Sequence, residues 1–99
     1  MAEIIWTDPA LNNLNEIAEY IALNSSAAAK NLVQTIFDKV MRLENYPESG
    51  KVPAELPNLS YRELVIKPCR IFYKIENERV YILNVMRQER DLRKFLITR

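Results

Sequence analysis

The chain has 99 residues, of which 48% are hydrophobic and 27% charged, and its formal net charge is +1. About 100 residues form one domain, large enough to bury a core without disulfides. The sequence contains one cysteine, one glycine and no histidine. These counts exclude an internal disulfide, cysteine-rich zinc sites, glycine-rich phosphate loops and imidazole catalysis. We therefore expect a single domain over residues 1–99 with no metal and no cofactor.

The charge is unevenly divided along the chain. Residues 1–59 hold four basic and eight acidic side chains, a net charge of −4. Residues 60–99 hold ten basic and five acidic side chains, a net charge of +5. Such a split suggests an acidic partner for the second half, although two solvated surfaces would produce the same count.

The first residues contain neither a basic region nor an apolar stretch of the kind found in signal peptides. The apolar runs elsewhere are far shorter than the roughly 20 residues that span a bilayer. A lone cysteine is compatible with a reducing compartment. We expect a cytoplasmic protein with no membrane contact.

The first half of the chain predicts a strand and two helices. Residues 3–6 are β-branched and aromatic, which indicates a strand. Thr7 or Asp8 can cap a helix that begins at Pro9 and continues, by its apolar spacing, to about Leu23. A second helix begins after residues 24–26 and extends to about Tyr46. The short link makes the two helices an antiparallel hairpin.

The second half predicts a sheet. Residues 47–59 form an extended loop that contains three prolines and the only glycine, and such loops are either functional or plain connections. Alternating apolar residues then predict strands over 61–66, 69–75 and 79–85, with a tight turn at Asn77. The third of these strands is almost wholly apolar, so we expect it to be central. Residues 87–99 are basic and amphipathic and predict a short helix or an ordered tail.

The order β-α-α-β-β-β predicts an α+β domain of two layers, with the helical hairpin packed on an antiparallel sheet. Six segments in this order also carry a family resemblance over nearly the whole chain. They are Ile-Trp-Thr at 5–7, Ile-Ala-Glu-Tyr-Ile-Ala at 17–22, Tyr-Pro-Glu-Ser-Gly-Lys at 46–51, and residues 61–65, 69–73 and 86–92. The chain resembles the RelE/ParE superfamily of bacterial toxins, and is more similar to its ParE-like members.

The resemblance implies one of two activities. RelE-like toxins cut mRNA on the ribosome, using strand lysines, a middle-strand arginine, and an arginine and a tyrosine near the C-terminus. ParE-like toxins poison DNA gyrase and are generally not nucleases. Here Arg70 matches the middle-strand arginine and Arg62 lies near the first lysine. Leu64, Gln88 and Lys94 fall at three of the other positions.

The residues implied for binding the target or the antitoxin are basic. They are Arg62, Arg70, Arg87, Arg90, Arg93 and Lys94. If the chain were a nuclease, Arg62, Arg70, Arg87 and Arg90 would contact the phosphate, but arginine is a poor general base because its pKa is above about 12. Glu63 or Glu89 could take the place of the base in a nuclease, but for the gyrase inhibitor that the resemblance favours we expect no catalytic residues.

Structural alternatives exist for several of these residues. Arg70 points away from its apolar neighbours on the strand, and can pair with Glu63 on the adjacent strand. The basic residues after position 86 can be an exposed face. Trp6 and Phe37 are expected in the core, and Cys69 is expected to be an ordinary strand residue.

The resemblance thus predicts a ParE-like toxin of a type II toxin–antitoxin pair that inhibits DNA gyrase and blocks replication. Its partners would be a cognate antitoxin, DNA gyrase, and operator DNA reached only through the antitoxin. The alternatives are a RelE-like nuclease that acts on mRNA or nicks DNA, and a harmless relative that acts only as a co-repressor.

Overall fold

A computed structural model describes residues 1–88 of the chain. The elements, in chain order, are β1 Glu3–Trp6, α1 Asp8–Ala22, α2 Ser26–Met41, a 3₁₀ turn Arg42–Glu44, β2 Tyr61–Ile66, β3 Cys69–Glu76 and β4 Arg79–Arg87. The predicted α+β order of elements is confirmed. The predicted helix or tail over residues 87–99 is wrong at its first residue, since Arg87 is the last residue of β4. Its part after residue 88, with Arg90, Arg93 and Lys94, lies outside the described residues.

Both helices begin at a side-chain cap. The Thr7 hydroxyl accepts a hydrogen bond from the Ala10 N–H at 3.4 Å and donates to the Ile82 carbonyl at 2.6 Å. The Ser25 hydroxyl accepts from the Ala28 N–H at 3.0 Å. These bonds satisfy amide donors that the first turn of a helix leaves without a partner. Thr7 therefore also ties the start of α1 to the sheet.

The second helix ends earlier than predicted. Its α-helical part stops at Met41, and the chain tightens into the 3₁₀ turn before reaching Tyr46. Pro47 prevents the helix from continuing through Tyr46, because a proline disfavours helical backbone in the residue before it. The apolar spacing continues through Leu43, which is fully buried, so the periodicity overstated the length of the helix.

The sheet has the strand order β1-β4-β3-β2. The last three strands form the predicted antiparallel meander, and β4 is central as predicted. One part of the prediction needs correction, because β1 joins the sheet parallel to β4, with Glu3 opposite Arg79 and Trp6 opposite Ile82. The sheet is therefore mixed. The helical hairpin returns the chain to the start of β1, where the Ala2 N–H donates to the Glu44 carbonyl at 2.8 Å, and the following loop leads to β2 at the opposite edge.

The main core lies between the helical hairpin and one face of the sheet, which we call the helical face. Its buried side chains include Leu14, Ile36 and Val40 from the helices and Ile71 and Ile82 from the sheet. A second, smaller cluster lies on the opposite face, where Phe72 and Met86 pack against Leu56 of the loop. Both faces of β3 are therefore covered.

Two predictions about single residues are also settled. Trp6 and Phe37 pack on the core with their ring centroids 4.8 Å apart. Cys69 is a fully buried residue of β3. Within residues 1–88, the helices are too short and too polar to cross a membrane.

Candidate functional site

The face of the sheet opposite the helices carries a charged cluster centred on Arg70. One guanidinium nitrogen of Arg70 donates to Glu55 Oε2 at 2.7 Å, and the other donates to Glu55 Oε1 and to Glu63 Oε2, each at 2.7 Å. Arg70 and Glu55 thus form a bidentate arginine–carboxylate pair, and the carboxylate of Glu63 binds the same guanidinium. The side chains of Arg70 and Glu63 are only 10% and 4% exposed, so the cluster is held largely away from water.

The alternation of β3 places Arg70 in this cluster. Arg70 and Phe72 point away from the helices, whereas Ile71 and Tyr73 point into the main core. The Arg70 guanidinium lies 4.9 Å from the centroid of the Phe72 ring, a cation–π distance. Hydrogen bonding to Glu55 is the largest influence that raises the pKa of Arg70 above its ordinary value. The arginine therefore stays charged at every pH at which the protein folds.

Glu55 is brought to Arg70 by residues 51–59, a segment we call the strap. The strap starts at Lys51, which pairs with Glu63 along the free edge of β2 through two backbone hydrogen bonds of 3.0 and 2.8 Å. Leu56 follows Glu55 and packs against Phe72. The strap thus crosses from the edge of the sheet onto the face that carries Arg70, and both a salt bridge and an apolar contact hold it there.

The residues just before the strap are fixed by Tyr73 from the other side of β3. Its hydroxyl accepts a hydrogen bond from the Gly50 N–H and donates one to the Pro47 carbonyl, both at 2.8 Å. Burial raises the pKa of the Tyr73 phenol. Gly50 is required here because an added Cβ would lie 2.5 Å from the Tyr73 hydroxyl and 2.8 Å from the Glu63 carbonyl oxygen.

Arg62 supports the same junction. One of its guanidinium nitrogens donates to the Gly50 carbonyl at 2.9 Å and to the Glu48 carbonyl at 3.2 Å. Strand alternation puts Arg62 on the opposite face of the sheet from Glu63, and therefore from Arg70. The two arginines do not converge on one site.

Arg87 lies apart from both. It is an exposed residue at the end of β4, and its guanidinium is 5.4 Å from the centroid of the Tyr20 ring on α1. Arg87 is opposite Cys69 in the sheet and Arg62 is opposite Tyr73. Tyr73 lies four positions after Cys69, roughly 13 Å along the strand. Of the six basic candidates, the three described ones occupy three separate places.

Sequence reasoning predicted part of this site and missed the rest. The pairing of Arg70 with Glu63 is confirmed. Glu55 was missed, because its contact depends on the path of a loop that has no periodic pattern. The Tyr73–Gly50 contact had a weak signal, since a single glycine inside a proline-containing loop indicates a position without room for a side chain.

The sequence model of the family described as the ParE toxin of type II toxin–antitoxin systems matches residues 4–92. The chain belongs to this family. The match covers most of the chain, including all the elements of the fold after the start of β1.

Two curated relatives agree with this assignment. The chain is 31% identical to Toxin RelE2 of Caulobacter vibrioides over 86 residues, which is 86% of this chain and 93% of that protein. It is 41% identical to the putative toxin Y4kP of Sinorhizobium fredii over 85 residues, 84% of each chain. The chain is therefore a type II toxin-family protein related to proteins of both the RelE and the ParE kind.

Solved structures support the same fold. A chromosomal ParDE toxin–antitoxin system from P. aeruginosa aligns with a TM-score of 0.75 and 26% identity, covering 90% of this chain and 98% of that one. The RelBE2 toxin–antitoxin complex from Mycobacterium tuberculosis aligns with a TM-score of 0.57 and 21% identity, covering 87% and 96%. The second similarity concerns the fold alone.

The contacts of Arg70 and Leu64 limit the chemistry that this site can perform. Arg70 holds a full positive charge, but two carboxylates already accept its hydrogen bonds. Leu64, at the place of a lysine in RelE-like toxins, packs on the main core. Among residues 1–88, the arrangement therefore pairs the charges on this face with one another.

Proposed function

We propose that this ParE-family chain is a toxin that inhibits DNA gyrase and has no nucleic-acid chemistry of its own. It would stabilise the cleaved complex of gyrase and DNA and so block replication. The observation that carries the proposal is the set of contacts made by Arg70, the one residue that matches a RelE-like catalytic position. Its guanidinium forms ion pairs with Glu55 and Glu63, which a substrate phosphate would have to displace.

The other RelE-like positions support the same conclusion. Cleavage through the 2′-hydroxyl requires a base, an acid and cations around one phosphate. Arg62 bonds the backbone of the Glu48–Gly50 turn, and Leu64 cannot supply a proton or a charge. A protein that binds its target without catalysing a reaction needs no base, acid or cation around a phosphate.

A gyrase assay tests the proposal directly. Purified toxin is incubated with gyrase and plasmid, and supercoiling is followed together with linear DNA released after protease treatment. We expect reduced supercoiling and accumulated linear plasmid. The same reaction without gyrase is the control and should leave the plasmid intact. Unchanged supercoiling and no linear product at a severalfold excess of toxin would refute the proposal.

The similarity to Toxin RelE2 gives a reason to test a second function, RelE-like cleavage of mRNA or direct nicking of DNA. Primer extension on mRNA from induced cells distinguishes the two functions. Discrete cuts within codons would support the nuclease, whereas a DNA-damage response with intact mRNA supports gyrase inhibition. Continued growth after induction without antitoxin would instead indicate a harmless co-repressor.

We infer that the partner of this toxin is a cognate antitoxin, which would also connect it to operator DNA. The similar solved structures are described as toxin–antitoxin assemblies. Two surfaces suit such a partner. One is a groove of about 400 Å³ between α1 and α2, lined by the apolar residues Ala18, Ala22 and Val33. The other is the basic end of the chain from Arg87 onward.

Charge reversal tests the basic end. We predict that changing Arg87, Arg90 and Arg93 to Glu weakens antitoxin binding or toxicity, because an acidic segment would lose its attraction to this surface. Affinity is measured at physiological salt, and growth after induction is scored in parallel. A matched variant reverses three exposed basic residues elsewhere, Lys39, Arg42 and Lys67. Equal effects of the two variants, or none, would contradict a specific role.

A further inference from the structure

The Glu55 carboxylate occupies the position that an anionic ligand of Arg70 would take. A carboxylate and a phosphate both accept two parallel hydrogen bonds from a guanidinium, so the geometry of one resembles that of the other. In this chain both oxygens of Glu55 lie 2.7 Å from guanidinium nitrogens of Arg70. The chain itself thus supplies the anionic ligand of Arg70, which is Glu55 of the strap.

The strap also covers the aromatic surface beside the arginine. Leu56 packs against Phe72 and Met86, which are 1% and 3% exposed. An arginine next to an aromatic ring is the combination that holds a phosphate and an adjoining base in single-stranded nucleic acids. Arg70 and Phe72 have this arrangement, with the guanidinium 4.9 Å from the ring centroid, but the strap lies over them.

The charges of the cluster oppose the entry of a phosphate. Arg70 pairs with Glu55 and Glu63, and Lys51 lies 3.9 Å from the other oxygen of Glu63. Among residues 1–88, two positive and two negative charges therefore balance within the cluster. An incoming phosphate would add negative charge to this largely desolvated site and displace a carboxylate already in place.

We propose that the strap is an autoinhibitory element, in which Glu55 acts as a built-in counter-ion that closes a phosphate-binding position at Arg70. The inference goes beyond gyrase inhibition and does not depend on it, since it concerns which ligand this face of the sheet excludes. It predicts that a variant without the Glu55 charge binds phosphate at Arg70, whereas the natural chain does not.

The test compares Glu55→Gln with the natural chain. Inorganic phosphate and, separately, a 5′-mononucleotide are titrated while the side-chain N–H resonance of Arg70 is followed by NMR. We expect at least about tenfold tighter binding by the variant, since a charge-assisted pair contributes more than the 1.4 kcal/mol that corresponds to tenfold. A gain for both probes identifies the phosphate group as the ligand, and a gain for the nucleotide alone shows that the base is also required.

Glu48→Gln is the matched control. Glu48 is exposed, lies in the same loop and loses the same charge, but it precedes the strap. An equal gain in both variants would mean a general effect of net charge and would overturn the proposal, as would a folded Glu55→Gln protein that binds neither probe. If Glu55→Gln does not fold, the natural chain is titrated with phosphate to test the proposal. Its Arg70 resonance should not respond to phosphate, and a response would overturn the proposal.

Discussion

Replacing Tyr73 with phenylalanine tests the junction that fixes the start of the loop. The substitution keeps the ring in the core but removes the hydroxyl that binds the Gly50 N–H and the Pro47 carbonyl. Gly50 is buried, so its N–H would be left without a partner and without water. Leaving a buried polar group unsatisfied costs about 1–3 kcal/mol. Pro47 is only partly buried, so its carbonyl can regain water and adds less.

We therefore expect Tyr73→Phe to lower the free energy of unfolding by about 2–4 kcal/mol, given the cost of an unsatisfied buried group and a lost hydrogen bond. In a domain of this size that corresponds to a fall in Tm of roughly 10–25 °C. Urea denaturation followed by the fluorescence of Trp6 measures the change. Tyr46→Phe is the control, because Tyr46 is 68% exposed and should change stability by less than about 0.5 kcal/mol. Similar losses in the two variants would refute the role of the Tyr73 hydroxyl.

Two related predictions concern the same junction. Gly50→Ala should destabilise the chain by at least about 2 kcal/mol in urea denaturation, because its Cβ would meet the Glu63 backbone as well as the Tyr73 ring; a stability within 0.5 kcal/mol of the natural chain would contradict this. Alkaline pH should also destabilise the fold. Burial raises the pKa of Tyr73, so the folded state favours the neutral phenol, and stability is lost as the pH rises above the unfolded pKa of about 10. The fall in Tm between pH 9 and 11 should be smaller in Tyr73→Phe than in the natural chain, and an equal fall in both would show that another group is responsible.

The sequence was sufficient to predict the elements because their signals are periodic and local. The strand at residues 61–66 was predicted with the same bounds as the structure, and the turn at Asn77 was predicted from its tolerance of positive φ, which is 53°. Glu78 also has a positive φ of 63°, which its residue type does not suggest. The parallel pairing of β1 with β4 was not predicted, because the spacing within a strand carries no information on which distant strand it joins.

The candidate site was harder to predict because it depends on contacts between distant segments. The division of charge along the sequence illustrates this. Glu55 belongs to the acidic half but pairs with Arg70 of the basic half, and Glu3 pairs with Arg79 in the same way at 3.2 Å. Within residues 1–88, the acidic and basic halves of the sequence therefore do not form two separate surfaces. Among residues 60–88, several basic groups are already neutralised within the fold.

The ion pairs of Arg70 show that a residue at a catalytic position of this family can have a structural role instead. Arg70 matches the middle-strand arginine of RelE-like toxins by position, but position on a strand fixes only the direction of the side chain. Its role depends on the groups that meet it, and here these are a carboxylate of the next strand and a carboxylate of the strap. The same arginine stabilises a closed face in one chain and could bind phosphate in another whose loop carried no acidic residue at position 55. The loop after the second helix is thus the segment in which a change of activity between toxins of this fold should first be sought.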